Sequence, residues 1–116
     1  MRPGISWLLL IVYMFVIFYF SSLPRIEIIE KSPDFFIRDK LLHILEYSIL
    51  GVLSYNAFRH HELLNKKPFV YAIMFATIYG VTDELHQIFI PNRIFSLYDI
   101  LANFFGSSMV LFRKLF

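Results

Sequence analysis

Three short stretches of this chain hold residue types that can do acid–base or metal chemistry, and they hold them at helical intervals. Asp39, His43 and Glu46 are four and three residues apart. At about 100° per residue they share one helical face, with Tyr47 close by. Asp83, His86 and Gln87 share a face in a second stretch, with Glu84 at its edge. Ser96, Asp99, Asn103 and Gly106 follow at intervals of three, four and three, and Arg93 stands between the second and third groups. Carboxylates are hard oxygen ligands, so Glu46, Asp83, Glu84 and Asp99 form a set suited to Mg²⁺ or Mn²⁺. His43 or His86 fits a general acid or base, with Asp39 and Gln87 beside them. Arg93 has the planar fork that grips a phosphate with two hydrogen bonds, and Ser96, Asn103 and Tyr47 join it as substrate contacts.

Plainer explanations compete at each position. Ser96-x-x-Asp99 is a capping-box arrangement, which starts a helix whatever else it does. Asp39 beside Arg38 and Lys40 reads as ordinary interfacial charge, and His43 as a hydrogen-bonded core histidine. Glu46 and Asp83 lie deeper in their segments, where the competing role is a structural ion pair to Arg93. Gly106, four residues from Ala102, permits close helix packing. Trp7, Tyr13, Tyr19 and Tyr71 read as packing or interface residues. The adjacent His60 and His61 fall in a loop and receive no site role.

The elements that position these groups are apolar. Hydrophobic residues make up 58% of the 116 and charged residues only 17%, too few to coat a soluble domain of this size. No basic cluster is interleaved with aromatics, so nucleic acid is not an expected partner. Cysteine is absent, which excludes disulfides and thiolate chemistry. Ile5 to Phe20 forms a first apolar run. It is long and aromatic and ends in Ser-Ser-Leu-Pro, which argues for a span over the alternative, a cleaved signal sequence. Arg25 to Arg38 is polar but carries Ile and Phe, and is expected along the membrane interface. Ser32-Pro33-Asp34 marks the start of a second helix, from about Pro33 to Phe58. Arg59 to Lys67 is a loop. Pro68 opens a third helix running to about Ile90, before Pro91, and Ser96 caps a fourth reaching about Phe112. Each run approaches the roughly 20 residues that cross a bilayer. The expected fold is all-α: one domain over residues 1–116, a polytopic membrane protein of four transmembrane helices in an up-down bundle. A soluble four-helix bundle is the alternative, but its first helix would need a charged face.

Four spans place both termini on one side, with Arg2, Arg59, Lys66, Lys67, Arg113 and Lys114. Arg25, Lys31, Arg38, Lys40 and Arg93 lie on the other, so the six-to-five excess puts both termini in the cytoplasm. The second helix then starts on the side where the third ends and the fourth begins. All three polar stripes fall in one half of the membrane, each roughly 6–11 Å deep. Polar groups at such depth normally face a bundle interior or a wet cavity. A cavity open to the outer leaflet is expected.

The stretches "DKLLHILEYSILG", "TDELHQIFIPNR" and "SLYDILANFFG" together resemble the VanZ-like family of small bacterial membrane proteins, named for a teicoplanin-resistance protein. The pattern falls on Asp39, Lys40, His43, Tyr47 and Gly51, then Asp83, Glu84, His86, Gln87, Pro91, Arg93, Ser96, Asp99, Asn103 and Gly106. Ser21 and Ser22 are similar to the family's serine-rich exit from the first helix. Asn92 and Val110 depart from it where Gly is common. The resemblance implies the bacterial cytoplasmic membrane and an effect on glycopeptide susceptibility, not a settled reaction. The residues themselves leave two functions open. One is a membrane enzyme, a metal-dependent hydrolase or transferase acting on a phosphate-bearing envelope lipid or lipid-linked precursor. The other is a non-catalytic binder of a lipid headgroup or lipoglycopeptide. A proton or solute pathway is weaker, because the polar groups stop halfway.

Overall fold

The computed structural model describes residues 2–23, 34–91 and 95–115, and among these the chain forms four α-helices and no strand. Helix α1 spans Pro3–Ser21, α2 Phe35–Phe58, α3 Pro68–Gln87 and α4 Leu97–Ser108, which tightens into a 3-10 helix over Met109–Leu115. Pro3 and Pro68 sit in the first turns of α1 and α3, where a missing N–H is harmless. Ser96 caps α4 by accepting the Asp99 N–H at 3.4 Å.

One expected start lies outside the described residues, and two expected ends move. Ser32 and Pro33 lie outside the described residues, and Asp34 at the cap of α2 makes no capping bond; it pairs with Arg38 at 3.3 Å. Helix α3 ends at Gln87 rather than Ile90. The N–H groups of Ile88, Phe89 and Ile90 bond the carbonyls three residues back. Pro91 disfavours the α conformation at Ile90, so the chain tightens before it. The fourth helix loses α geometry after Ser108 rather than at Phe112. There the Ser107 and Ser108 hydroxyls both bond the Phe104 carbonyl, in competition with backbone donors.

Pairwise contacts fix the helix directions. Lys40 meets Asp99, His43 meets Asn103, and Gly51 meets Ser107, so α2 and α4 run parallel. Tyr13 bonds the Glu46 carbonyl while Trp7 packs on Phe58, so α1 opposes α2. Tyr79 bonds the Met14 carbonyl and Ser22 bonds His86, so α1 and α3 run together. The directions therefore alternate along the chain. Helix α2 touches all the others, while α1 packs on α2 and α3.

Small residues set the closest approaches. A Cβ at Gly51 would stand 2.7 Å from the Ser107 carbonyl oxygen, and one at Gly106 would run into the Ile44 carbonyl. Ala72, Ala76 and Gly80 form the inward stripe of α3, which continues as Asp83, Glu84 and Gln87. Leu10, Ile17, Tyr47, Leu50, Ala57 and Phe58 fill the core against it. Among the described residues, two helices, α1 and α2, are long and apolar enough to cross a membrane. Outward, Phe15, Leu42, Ile78 and Leu101 are each at least 60% exposed, so all four helices carry exposed apolar surface.

Candidate functional site

Alternating directions bring the end of α1, the start of α2, the end of α3 and the start of α4 together. At that end lies a chamber of about 140 Å³ lined by Phe20, Ser21, Asp39, Leu42, His43, Glu46, Asp83 and Gln87. Asp39, His43 and Glu46 reach it from consecutive turns of α2. Asp83 and Gln87, one turn apart, reach it from α3 and are buried. Gln87 donates to Ser21 Oγ at 3.3 Å, so α1 closes one wall. The volume holds a few waters or one small polar group, well short of the roughly 300 Å³ at which whole-ligand pockets begin.

Behind the chamber lies a charged network. The Lys40 ammonium donates to Asp39 Oδ2 at 2.8 Å and to Asp99 Oδ1, and so ties α2 to α4. The side chains of Lys40, Asp39 and Asp99 keep 18%, 11% and 3% of their surface exposed, so the pairing is shielded from water. His43 Nε2 stands 3.8 Å from Asp39 Oδ1 and 3.7 Å from Asp99 Oδ2. Its Nδ1 meets Asn103 Oδ1 at 3.0 Å. Glu84 accepts the Ser96 backbone N–H at 3.0 Å. In a capping box the third helical residue, here Asp99, would reach back to that N–H. Glu84 of α3 takes it instead, and Asp99 holds Lys40. Ser96 and Asp99 thus start the helix and serve the network together.

The structure sorts the expected residues. Asp39, His43, Glu46, Asp83 and Gln87 line the chamber; Glu84, Asp99, Asn103 and Ser96 stand behind it. His86 turns to α1, where its Nε2 meets Ser22 Oγ at 2.9 Å and its ring stacks on Phe18 at 4.6 Å. Tyr47 is wholly buried against Gly80 and is not among the residues that line the chamber. Arg93 lies outside the described residues. Sequence spacing gives Lys40 no role beyond interfacial charge, though it stands in the Asp-Lys-x-x-His pattern. The sequence marks Ser21 and Ser22 only as the exit from the first helix.

The metal-ligand set also regroups. Among the described residues, Asp39, His43 and Asp99 are the acids and histidines whose ligand atoms lie within 4.8 Å of one another. Lys40 already bonds both of these aspartates, so a divalent ion there would have to displace an ammonium. Glu46 and Asp83 of the expected set face the chamber itself.

An apolar groove of about 360 Å³ adjoins the chamber, lined by Tyr13, Val16, Ile17, Phe20, Leu42, Leu45, Glu46 and Ile49 between α1 and α2. The two spaces share Phe20, Leu42 and Glu46. The Glu46 side chain therefore stands where polar lining gives way to hydrocarbon-like lining.

No curated protein and no solved structure matches the chain. The sequence model of the VanZ/LLP1 family matches residues 6–112. That span holds the chamber, the network behind it and the groove, and the chain belongs to the VanZ/LLP1 family.

Proposed function

We propose that this protein is a four-span protein of the bacterial cytoplasmic membrane, both termini cytoplasmic, whose chamber acts on a phosphate-bearing envelope lipid or lipid-linked precursor. The observation that carries this reading is the shared wall of the polar chamber and the apolar groove. An amphiphile fits such a pair of spaces: its chain lies along Val16, Leu45 and Ile49, and its polar end passes Glu46 into the chamber. The chamber is too small for a whole lipid and large enough for part of a headgroup.

Mg²⁺ or Mn²⁺ is commonly held by one or two carboxylates together with substrate phosphate oxygens. Glu46 and Asp83 would hold such an ion, and it would offset the charge of a headgroup phosphate. His43 then accepts or donates the proton, beside Asp39. The reaction class is hydrolysis or transfer at the headgroup.

One observation favours a second reading, a non-catalytic binder of a lipid headgroup or lipoglycopeptide. The carboxylates nearest His43 are both bonded to Lys40, an arrangement that also serves purely to anchor α2 to α4. The purified protein in liposomes separates the two. An enzyme converts a phosphate-bearing lipid and stops when divalent ions are chelated. Lipid retention without turnover, indifferent to chelation, would favour the binder.

A further inference from the structure

Asn103 projects from α4 with no exposed surface and is not part of the chamber wall, so it does not touch the chamber's contents. Its Oδ1 lies 3.0 Å from His43 Nδ1. An amide oxygen carries no hydrogen, so the ring nitrogen must be the donor. The other end of the amide, Nδ2, is buried on the Gly80 side with no hydrogen-bond partner among the described residues. What α4 offers the imidazole is therefore an acceptor, held by a side chain with no exposed surface. On the opposite edge of the ring, Nε2 faces Asp39 and Asp99, both bonded to Lys40, and Asp39 belongs to the chamber wall with Glu46 and Asp83.

We infer that Asn103 is a positioning residue: it keeps a proton on His43 Nδ1, so that the proton His43 exchanges is the one at Nε2, on the Asp39 side of the ring. A bonded Nδ1 commonly sets which nitrogen of a histidine does the chemistry. The tautomer stands whatever occupies the chamber; only its use in a lipid reaction rests on the proposed function.

The test is nitrogen NMR of the full chain in lipid nanodiscs, with ¹⁵N-labelled histidine and the His43 signals assigned by His43→Gln. Spectra are read on the neutral ring, identified by its nitrogen shifts. The expected wild-type form is Nδ1–H. Asn103→Asp keeps the acceptor and keeps that form. Asn103→Leu removes it and shifts the tautomer ratio toward Nε2–H by about tenfold, which corresponds to roughly 1.4 kcal/mol. A wild-type ring protonated at Nε2 overturns the inference, and it does so even if the leucine variant fails to fold. An unchanged ratio in a folded Asn103→Leu protein overturns it equally. Absence of lipid turnover with the Nδ1–H form intact would refute the proposed reaction and leave the positioning role standing.

Discussion

Replacing Lys40 by methionine removes one ammonium and leaves two aspartates facing each other inside the bundle. Their ligand oxygens lie within 4.8 Å of one another. At an effective dielectric of about 20, two unit charges at that separation repel by roughly 3.5 kcal/mol. Removing one partner of a buried ion pair costs about 3–5 kcal/mol, a similar figure. Lys40→Met should therefore lose about 3–4 kcal/mol at pH 7. Adding Asp99→Asn removes one of the two charges and should restore much of the stability. The assay is reversible unfolding in mild detergent at pH 7, for wild type, both single variants and the double variant. A Lys40→Met protein as stable as wild type at pH 7, or a double variant no better than the single, would show that Lys40 does not hold α2 to α4.

Four further outcomes are expected. Asp83→Asn should fold normally and lose the lipid turnover proposed for the chamber, read in liposomes; loss of folding instead would mark Asp83 as structural. Glu84→Gln keeps an acceptor for the Ser96 N–H and should fold, whereas Glu84→Leu should lose about 1–3 kcal/mol by leaving that N–H without it; equal stability of the two would remove Glu84 from the start of α4. Gly106→Ala should destabilise by about 1–3 kcal/mol because of the Ile44 carbonyl, with Gly4→Ala, which meets nothing, as the neutral control; a silent Gly106→Ala would mean that the crossing of α2 and α4 relaxes freely. Cysteines at Asp34 and Lys66 should label from the outside and the cytoplasm respectively, and the reverse pattern would invert the orientation.

The helices and the shared faces were legible because a helix repeats every few residues. Asp39, His43 and Glu46 on one stripe follow from spacing alone, and alternating directions bring that stripe to the ends of its neighbours. Finer assignments depend on partners far away in sequence. Lys40 reads as one more charge at an interface, and only its bond to Asp99, 59 residues on, makes it the cation of the network. Spacing also placed His86 with Asp83 and Gln87, but it could not show that Phe18 and Ser22 of α1 would claim the ring. The capping pattern at Ser96 and Asp99 was visible. That Glu84 would supply its second bond, releasing Asp99, required α3 to be packed against α4. Tyr47 looked like a site residue from its position beside Glu46, yet one further step around the helix turns it into the core.

The claim that chamber and groove together take one amphiphile is tested most directly by native mass spectrometry of the protein released from membranes. Wild type should carry one phosphate-bearing lipid per chain. Leu45→Trp, which fills the groove and replaces no residue of the chamber lining, should lose it while remaining folded. Wild-type protein free of any retained lipid, or a Leu45→Trp variant that keeps the same lipid at the same occupancy, would contradict the account.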